Sequence, residues 1–459
     1  MKKTLEYRQR NVLILGMGLS GRACAEYFLD RSIQVTGLDK NFIALAQHDE
    51  IKPLIKKGLK LLSDQDCMAL AGFDFIVASP GIPPTHSLIK AAEGEGKPVF
   101  GEVDLACCLL ENPMIGITGT NGKTTVTLLT EHVFLRSGIK AKAVGNVGIP
   151  LISEVAKVDR ETLLVVELSS YQIESLSGPV LDCAVLLNIT PDHLDRYPSM
   201  DHYAMAKCHL KHCLKQSAPF FVDVNAYRVY SSMLEGPSIL QYGFDPHLFI
   251  NADSQCVYRN GQRAFELPDS LKGQCSHDVE NLMAAFAICS HFGIQGKEFI
   301  SAFNTFKKPP HRIEFVCELS GIRFFDDSKG TNIDAVMRAV DSIQGPIILI
   351  AGGVDKGAAY TPWIARFHKK VKSICAIGQA AGKIEKELSG QLPVSQHCSL
   401  DDAVDHAYRQ ASPGDTVLLS PGCSSFDMFL DYAHRGFEFQ RLVKNLPSKS
   451  YLKENNNND

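Results

Sequence analysis

The sequence predicts an α/β protein built from three domains. The chain has 459 residues, which suits three domains of about 150 residues each. Short apolar runs typical of buried strands alternate with helical stretches, and this alternation restarts twice along the chain. Glycine-bearing turns follow many of the apolar runs. Such a pattern is typical of parallel sheets covered by helices.

The first domain, predicted over residues 1–110, begins with a Rossmann-like nucleotide-binding pattern. A strand at 11–15 leads into the turn GMGLSG (16–21), and a strand at 33–38 ends at Asp39. G-x-G-x-x-G followed by an acid about 20 residues later is the dinucleotide fingerprint. By itself the pattern indicates a site for a phosphate and a ribose or another diol. It does not identify the ligand.

A third strand, at 75–78, ends in the turn SPGIPP (79–84). Strand ends in α/β sheets are where ligands bind. A simple proline and glycine turn explains the same residues equally well. The residues alone leave both interpretations open.

The second domain, predicted over residues 111–309, contains a phosphate cradle in IGITGTNGKTTV (115–126). A buried strand, a glycine-bearing turn and a helix that opens at Lys123 place backbone N–H groups toward an anion. Lys123 would reach the outer phosphates, and the Thr124 hydroxyl can bind Mg²⁺. The strict P-loop pattern is not met, because Ile117 occupies its first glycine position, so an ordinary strand–helix turn is the alternative. We predict a P-loop ATPase-like α/β domain that binds a nucleoside triphosphate.

Polar residues at strand ends beside the cradle predict a magnesium site. One strand, at 163–166, ends at Glu167, and another, at 184–187, is followed by a loop containing His193. Mg²⁺ takes oxygen ligands from one or two protein groups and completes its shell with phosphates and water. Glu167 is the predicted ligand, with an exposed strand-end acid as the alternative. For His193 the alternative is a loop histidine that caps a helix. Lys207, on the helix predicted at 200–214, would by spacing alone be a solvated side chain.

The middle of the chain carries weaker signals. Residues 218–272 are predicted to form strands and turns, with a hairpin at Asn260-Gly261. A helix is predicted over 277–293, and Pro309-Pro310 followed by His311-Arg312 is interpreted as a stiff linker and a domain boundary.

The third domain, predicted over residues 310–459, is expected to be Rossmann-like. Strands at 321–325, 346–350 and 416–419 each lead into a polar, glycine-bearing turn. This alternation predicts a parallel, doubly wound sheet. Residues 450–459 are expected to be disordered.

Two segments of the third domain fit capping boxes. They are Thr331-x-x-Asp334 and Ser424-x-x-Asp427. Helix capping would account for Thr331 and for the pair Ser424 and Ser425. Capping is compatible with ligand contact, because helix N-termini favour anions.

Composition and charge narrow the class of protein. A net charge of −4 argues against nucleic acid or an anionic membrane as a partner. No apolar run is long enough to span a membrane, and the start of the chain resembles a signal peptide only superficially. The 14 cysteines are then expected to be reduced thiols of a cytoplasmic protein. The histidines and cysteines between 202 and 213 lack a zinc-site spacing, which favours coincidence over a metal site.

Taken together, these segments resemble the Mur ligase family. The resemblance rests on motifs that follow the family's order over nearly the whole chain, which are GMGLSG (16–21), SPGIP (79–83), GITGTNGKTT (116–125), GNVGIP (145–150), ELSSYQIE (167–174), NITPDHLDRY (188–197), YAMAK (203–207), HRIE (311–314), DDSKGTN (326–332), GGVDKG (352–357) and LSPGCSSFDMF (419–429). The DSK and SSFD runs are similar to the branch that adds D-glutamate. The Asp-Asn-Pro-Arg signature usual for the branch that adds a dibasic residue is absent.

The resemblance implies an ATP-dependent acid–D-amino-acid ligase of peptidoglycan biosynthesis. The carboxylate of UDP-N-acetylmuramoyl-L-alanine would attack the γ-phosphate of ATP, and D-glutamate would displace phosphate from the resulting acyl phosphate. Two Mg²⁺ sites are implied, with Lys207 carbamylated to act as an oxygen ligand. The expected protein is a monomer that acts on these small molecules, with no nucleic-acid partner and no membrane insertion.

The resemblance also assigns residues. The implied ATP contacts are Gly119, Thr120, Asn121, Gly122, Lys123, Thr124, Thr125, Asn281, Arg312 and Asp327. The implied contacts to the UDP substrate are Leu19, Ser20, Asp39, Lys40, Gly81, Asn146 and His193, and those to D-glutamate are Thr331, Lys356, Ser425 and Tyr432. The implied metal ligands are Thr124, Glu167, His193 and carbamylated Lys207, and the implied catalytic residues are Lys123, His193, Lys207 and Lys329.

Three other functions compete with this interpretation. One is a Mur enzyme for a different amino acid or a folate polyglutamate synthetase, which lack DSKGTN combined with a GxGxSG domain. Another is an NAD-dependent oxidoreductase, which would leave the cradle and the third domain unexplained. The third is a binding module without catalysis. Two departures from the family pattern, at Asp278 and Tyr432, put an adenine contact and an amino-acid contact in question.

Overall fold

The computed structural model describes residues 11–64, 70–236, 238–273 and 277–456. These residues form two compact units. One runs to Ile189 and resumes with Asp201–Phe306, and the other joins Thr190–Met200 to the chain from Lys307 onward. Each predicted domain contains its own sheet, which confirms the three-domain α/β fold class. The domain boundaries at 110 and 309 remain predictions.

The N-terminal sheet is parallel, with the strand order β3-β2-β1-β4-β5. Its elements are β1 (Asn11–Leu15), α1 (Leu19–Leu29), β2 (Gln34–Leu38), α2 (Phe42–Ala46), α3 (Lys52–Lys56), β3 (Lys60–Leu62), β4 (Phe75–Ala78), α4 (Ser87–Gly94), β5 (Val99–Gly101) and α5 (Glu102–Leu109). This is a Rossmann-like order, and its direction reverses between β1 and β4. Ligands of α/β sheets bind at such a reversal.

The middle sheet has the order β14-β13-β12-β11-β10-β9-β6-β8-β7. Its elements are β6 (Met114–Thr118), α6 (Lys123–Arg136), β7 (Ala141–Gly145), β8 (Leu163–Glu167), α7 (Ser170–Glu174), β9 (Cys183–Leu186), α8 (Met200–Cys208), β10 (Phe220–Asp223), α9 (Val224–Tyr230), β11 (Ile239–Gly243), β12 (Ile250–Ala252), β13 (Cys256–Arg259), β14 (Gln262–Glu266), α10 (His277–His291) and α11 (Gly296–Phe303). The strands from β7 to β12 are parallel, and β13 and β14 continue the sheet antiparallel. Every residue of β6 is buried, and β6 pairs with β8 on one side and β9 on the other, so the cradle follows an interior strand of the sheet.

The C-terminal sheet has the order β15-β16-β20-β17-β18-β19. Its elements are β15 (Glu314–Leu319), β16 (Ile322–Asp326), α12 (Ile333–Ser342), β17 (Ile347–Gly352), α13 (Pro362–Phe367), β18 (Val371–Ile377), α14 (Ala381–Leu388), β19 (Val394–His397), α15 (Leu400–Gln410), β20 (Thr416–Leu419) and α16 (Tyr432–Asn456). All neighbours are parallel except β15 and β16, which form an antiparallel pair at one edge.

The N-terminal and middle sheets share one hydrophobic core within the first unit. The start of α5 joins the two domains through buried carboxylates. Glu102 Oε1 accepts a hydrogen bond from the Ile152 backbone N–H (2.7 Å), and Asp104 Oδ1 accepts from Ser177 N (2.9 Å) and Oγ (2.8 Å). Glu102 is 1 % exposed and burial raises its pKa to about 7.

The structure corrects several local predictions. Neither predicted capping box exists, because Asn332 caps α12 through Ala335 N–H and residue 424 lies in an isolated bridge to Val354. Asn332 caps α12 through a local bond, whereas residue 424 pairs with a distant segment of the chain. The predicted linker at 309–312 lies between α11 and β15, in residues that belong to no helix or strand, and β15 begins at Glu314.

Two other segments differ from expectation in helix content. Residues 218–272 contain the predicted hairpin at Asn260-Gly261 but also the helix α9, capped by Asp223. The tail expected to be disordered is helical to Asn456, and its last residues, 457–459, lie outside the described chain. Among the described helices, none combines the length and the apolar composition needed to cross a membrane.

Candidate active site

The cradle has the backbone geometry that the sequence predicts. Gly119 and Gly122 have φ values of +154° and +88°, and α6 begins at Lys123. A Cβ at Gly122 would lie 2.3 Å from Asn281 Oδ1, so the Asn281 amide packs directly against the turn. Lys123 Nζ donates to the carbonyls of Gly119 and Thr120, each at 2.8 Å. The ammonium group of Lys123 is therefore held at the turn, and α6 begins at the same residue.

Two side chains that the sequence analysis missed brace this turn. Asn188 Oδ1 accepts from Asn121 N–H (2.8 Å), and Asn188 Nδ2 donates to the Asn121 carbonyl (3.1 Å). The Tyr203 hydroxyl lies 3.2 Å from Thr120 Oγ1. The position of Asn188 directly after a buried apolar run was the available signal, because strand ends of neighbouring parallel strands meet at one edge.

Glu167 has the features of a metal ligand. It is 1 % exposed, and its Oε1 accepts a hydrogen bond from Asn146 Nδ2 (2.8 Å). Its Oε2 is buried and has no hydrogen-bond partner within the described chain. A buried carboxylate oxygen without a donor is costly unless a cation neutralises it. Thr124, on the first turn of α6, is also buried, so an oxygen donor set that fits Mg²⁺ is present.

Lys207 is buried and contacts the cradle, whereas its spacing on the helix predicted a solvated lysine. It is 1 % exposed, and its Nζ donates to the Gly119 carbonyl at 2.8 Å. The same atom lies 4.6 Å above the centroid of the Tyr203 ring. The spacing on the helix did not reveal this, because Lys207 reaches a turn 88 residues earlier in the chain.

The GMGLSG turn is built by close backbone approach. Gly16 has φ +82°, and a Cβ at Gly21 would lie 2.0 Å from the Gly16 carbonyl oxygen. Asp39 closes the turn, since its Oδ2 accepts from Met17 N–H (2.9 Å) and its Oδ1 from Asn41 N–H (2.9 Å).

The other residues predicted to bind the UDP substrate near this turn are accessible. Leu19, Lys40 and Gly81 are exposed and Ser20 is half-buried. Ser79, at the end of β4, donates to the Gly16 carbonyl at 2.6 Å. The turns after β1 and β4, which carry predicted contacts to the UDP substrate, thus meet where the strand order reverses.

In the second unit, the turn after β16 carries the predicted Asp327 and Lys329. Asp327 is buried, and its Oδ2 accepts from Ser420 Oγ (2.7 Å). Burial raises the pKa of Asp327 to about 7, against the opposing effect of Ser420 and the Arg312 charge. Arg312 Nε is buried and lacks a hydrogen-bond partner in the described part of the chain. Lys329 Nζ donates to the Tyr432 hydroxyl at 3.1 Å.

A buried arginine that the sequence analysis missed supports this turn. Arg435 is 1 % exposed. Its Nε donates to Ser328 Oγ (3.0 Å), and its other nitrogens donate to the carbonyls of Ser328 (2.9 Å) and Cys423 (3.2 Å). Burial lowers its pKa to about 10, which leaves it charged at neutral pH. Arg435 therefore joins the turn after β16 to the turn after β20.

The Asp192 carboxylate brings together three residues of the second unit. Lys356 Nζ lies 3.0 Å from Asp192 Oδ1, and Asn332 Nδ2 lies 3.5 Å from Oδ2. His193 has φ +56°, and its Nε2 lies 3.6 Å from the same Oδ2. Thr331 precedes Asn332, and Ser425 is buried after β20. The sequence analysis missed Asp192 as a partner of Lys356, 164 positions away.

The predicted sites divide between the two units. The cradle, Asn281, Glu167, Lys207 and the GMGLSG turn belong to the first unit. His193, Arg312, Asp327, Lys329 and the predicted D-glutamate contacts belong to the second unit. A second Mg²⁺ site shared by His193 and Lys207 therefore remains a prediction.

Models of three Mur ligase domains match the chain. The MurD-like N-terminal domain matches residues 10–101, the Mur ligase middle domain matches 117–289, and the glutamate ligase domain matches 311–423. Together they cover most of the sequence. The first contains the GMGLSG turn, and the second contains the turn of the cradle with Lys123.

Curated relatives extend the match over nearly the full length. The UDP-N-acetylmuramoylalanine--D-glutamate ligase of Protochlamydia amoebophila is 51% identical over 95% of this chain and 98% of its own. The enzyme of the same name from Desulfatibacillum aliphaticivorans is 35% identical over 97% and 100%. The crystal structure of UDP-N-acetylmuramate-alanine ligase from Thermotoga maritima covers 96% of this chain and 100% of its own with a TM-score of 0.59 at 16% identity, which supports the fold. The chain therefore belongs to the Mur ligase family.

Proposed function

We propose that this protein is an ATP-dependent ligase that adds D-glutamate to UDP-N-acetylmuramoyl-L-alanine in peptidoglycan biosynthesis. The observation that carries the proposal is that the cradle holds Lys123 at its turn, while a strand beside it ends at Glu167, which has a buried oxygen without a hydrogen-bond partner among the described residues. The names of the full-length relatives supply the substrates.

The first chemical step is transfer of the γ-phosphoryl group to the substrate carboxylate. Negative charge spreads over the transferring oxygens, and fixed positive groups stabilise it. Lys123 and the N–H groups at the start of α6 supply that stabilisation, while Asn188 keeps the turn rigid. Mg²⁺, when bound at Thr124 and Glu167, would neutralise charge on the phosphates. Asn281 lies against the same turn and is assigned to the nucleotide.

Lys207 is assigned to a second Mg²⁺ site for phosphoryl transfer. Carbamylation would change its ammonium into an oxygen ligand for a second Mg²⁺, with His193 as the other protein ligand. The burial of Lys207 and its contact with Gly119 support this assignment. The uncharged amine is the form that reacts with CO₂, and it releases a proton as the carbamate forms.

The second step is attack of the D-glutamate amine on the acyl phosphate. The donors and cations of the second unit suit a dicarboxylate: Thr331, Ser425 and Tyr432 offer hydroxyl groups, and Lys356 offers positive charge. Lys329 and Asp327 are assigned to the reacting groups, and Arg312 to ATP. The pairing of Lys356 with Asp192 fixes the cation in place.

The test is ATP-dependent phosphate release with UDP-N-acetylmuramoyl-L-alanine. D-Glutamate, L-alanine, meso-diaminopimelate and L-lysine are offered in turn, and product is confirmed by mass. We expect turnover with D-glutamate alone. Turnover with another amine would overturn the specificity, and release without any nucleotide sugar would overturn the ligase assignment. Unchanged NADH fluorescence on mixing would argue against the oxidoreductase alternative.

The Lys207 assignment has its own test. Lys207→Ala should be inactive and should regain activity with added short carboxylates, which can replace the carbamate oxygens. Lys211→Ala on the same segment is the matched control and should retain activity. Full activity in Lys207→Ala without added carboxylate would contradict the assignment.

The assembly and location belong to the same proposal. The enzyme is expected to act as a cytoplasmic monomer on small-molecule substrates. Light scattering after gel filtration should give a mass near 50.4 kDa, and a dimer mass would contradict the monomer.

A further inference from the structure

Three potential metal ligands lie together in the C-terminal domain, on elements that carry none of the residues assigned above. Cys375 lies on β18, His397 ends β19, and His406 lies on α15. One ligand atom from each lies within 4.8 Å of the other two. The arrangement results from the topology, since Cys375 pairs with Ser395 across the parallel strands and α15 packs on the same strands.

The cluster leaves one imidazole nitrogen unsatisfied. His406 Nε2 is buried and has no hydrogen-bond partner among the described residues. The rings of His397 and His406 lie 4.6 Å apart between centroids, tilted by 51°. A buried ring nitrogen normally finds a donor or an acceptor. Here it has neither, although a thiol and a second imidazole lie beside it.

The surroundings of His397 favour its neutral imidazole. Burial and the neighbouring His406 lower the pKa of His397, and only Asp402 opposes them. Neutral imidazole is the form that binds metal. Burial raises the pKa of the Cys375 thiol to about 11, while Ser395 lowers it. A bound metal ion would offset that burial and release the thiol proton to solvent.

We propose that Cys375, His397 and His406 form a binding site for one Zn²⁺ ion. One sulfur and two nitrogen donors suit Zn²⁺, which binds four ligands tetrahedrally, and water would take the fourth position. Mg²⁺ prefers oxygen ligands and should not compete. Because β19 is an edge strand of its sheet, the metal would fasten this edge to β18 and to α15.

The test is metal binding by the full-length protein, freed of metal with a chelator and dialysed. Zn²⁺ alone is titrated against a chromophoric chelator, and Co²⁺ alone is titrated while thiolate–cobalt absorption is recorded. We expect one equivalent of Zn²⁺ and a thiolate band with Co²⁺. Cys375→Ser and His406→Gln should each weaken Zn²⁺ binding by at least about 100-fold, since each removes a direct ligand.

Cys398→Ser is the matched control. Cys398 is an exposed thiol directly after His397, and its loss should leave the affinity unchanged. ATP-dependent phosphate release in the absence of Zn²⁺ confirms that each variant is folded, and His397→Asn replaces any variant that is not. Absence of a one-to-one site, or wild-type affinity in His406→Gln or Cys375→Ser, would overturn the proposal.

Discussion

Two glycine turns of the first unit share the same pattern of strand, turn and helix, yet they differ in burial. In GMGLSG both carboxylate oxygens of Asp39 accept hydrogen bonds from backbone N–H groups, and Leu19 and Lys40 are exposed. At the cradle the acid Glu167 keeps a buried oxygen with no hydrogen-bond partner among the described residues, and Lys207 is buried against the Gly119 carbonyl.

This contrast shows that a glycine turn by itself provides only backbone N–H groups that can bind an anion. The chemistry at such a turn depends on the groups that surround it and on whether they are desolvated. Charges in a site shielded from water interact more strongly than exposed charges. We infer that the cradle is where chemistry occurs, whereas the GMGLSG turn holds a substrate.

The largest expected effect comes from removing the cradle's cation. Lys123→Ala should lower kcat by at least about 1000-fold, because charge developing on the phosphoryl group loses its fixed partner. Phosphate release measures the effect, and the exposed Lys140→Ala serves as control. Turnover close to wild type would break the distinction between the two turns.

The metal assignment predicts a loss that depends on Mg²⁺ concentration. Glu167→Gln removes the negative charge while keeping the shape and the contact with Asn146, so kcat should fall by about 100-fold at low Mg²⁺. Excess Mg²⁺ should restore part of it. Activity that is independent of Mg²⁺ in this variant would contradict a ligand role, and the exposed Glu161→Gln should behave as wild type.

The GMGLSG turn predicts a smaller and different loss. Asp39→Asn keeps the side-chain shape, but it replaces one of the two acceptor oxygens by an NH₂ donor, so one of the two bonds that close the turn is lost. KM for the UDP substrate should therefore rise by about 10-fold, while kcat changes little, as expected of uniform binding. A fall in kcat with unchanged KM would remove the contrast with the cradle.

An effect on stability rather than on turnover is expected at the junction between the N-terminal and middle domains, which carry the two turns. The pKa of Glu102 is about 7 when folded, against 4.5 for an ordinary glutamate. The folded state therefore binds the proton more tightly, and its stabilisation is complete below pH 4.5 and lost as pH rises through 7.

Glu102→Gln should remove this pH dependence. Above pH 7 the variant should be more stable than the wild type by up to about 3 kcal/mol, and the two should converge near pH 4.5. Urea unfolding at several pH values measures the difference. Parallel pH profiles for both proteins would mean that Glu102 remains ionised in the fold.

Sequence reasoning located the elements whose signals are local. Gly122 and Lys123 fix the start of α6, and the buried run before Glu167 fixes β8. The parallel alternation predicted three α/β domains, because the same apolar spacing recurs in each.

Contacts between distant parts of the chain could not be predicted in the same way. Arg435 crosses 107 positions to reach Ser328, and Asp192 meets Lys356 only through the fold. The predicted capping boxes were wrong for two different reasons. Asn332, one position after Thr331, caps α12 through a local bond to Ala335 N–H, whereas residue 424 pairs with the distant Val354. The roles assigned to the site residues remain predictions.

The membership of Thr190–Met200 in the second unit has a consequence for dissecting the chain. The polypeptide leaves the first unit after Ile189, returns at Asp201 and leaves again after Phe306. A protease nick at 306–310 alone would not separate the units, because 190–200 still tethers them. A fragment beginning at 310 would also lack Asp192, so Lys356 would lose its counter-ion. Trimming this enzyme to its last third should therefore impair amino-acid binding.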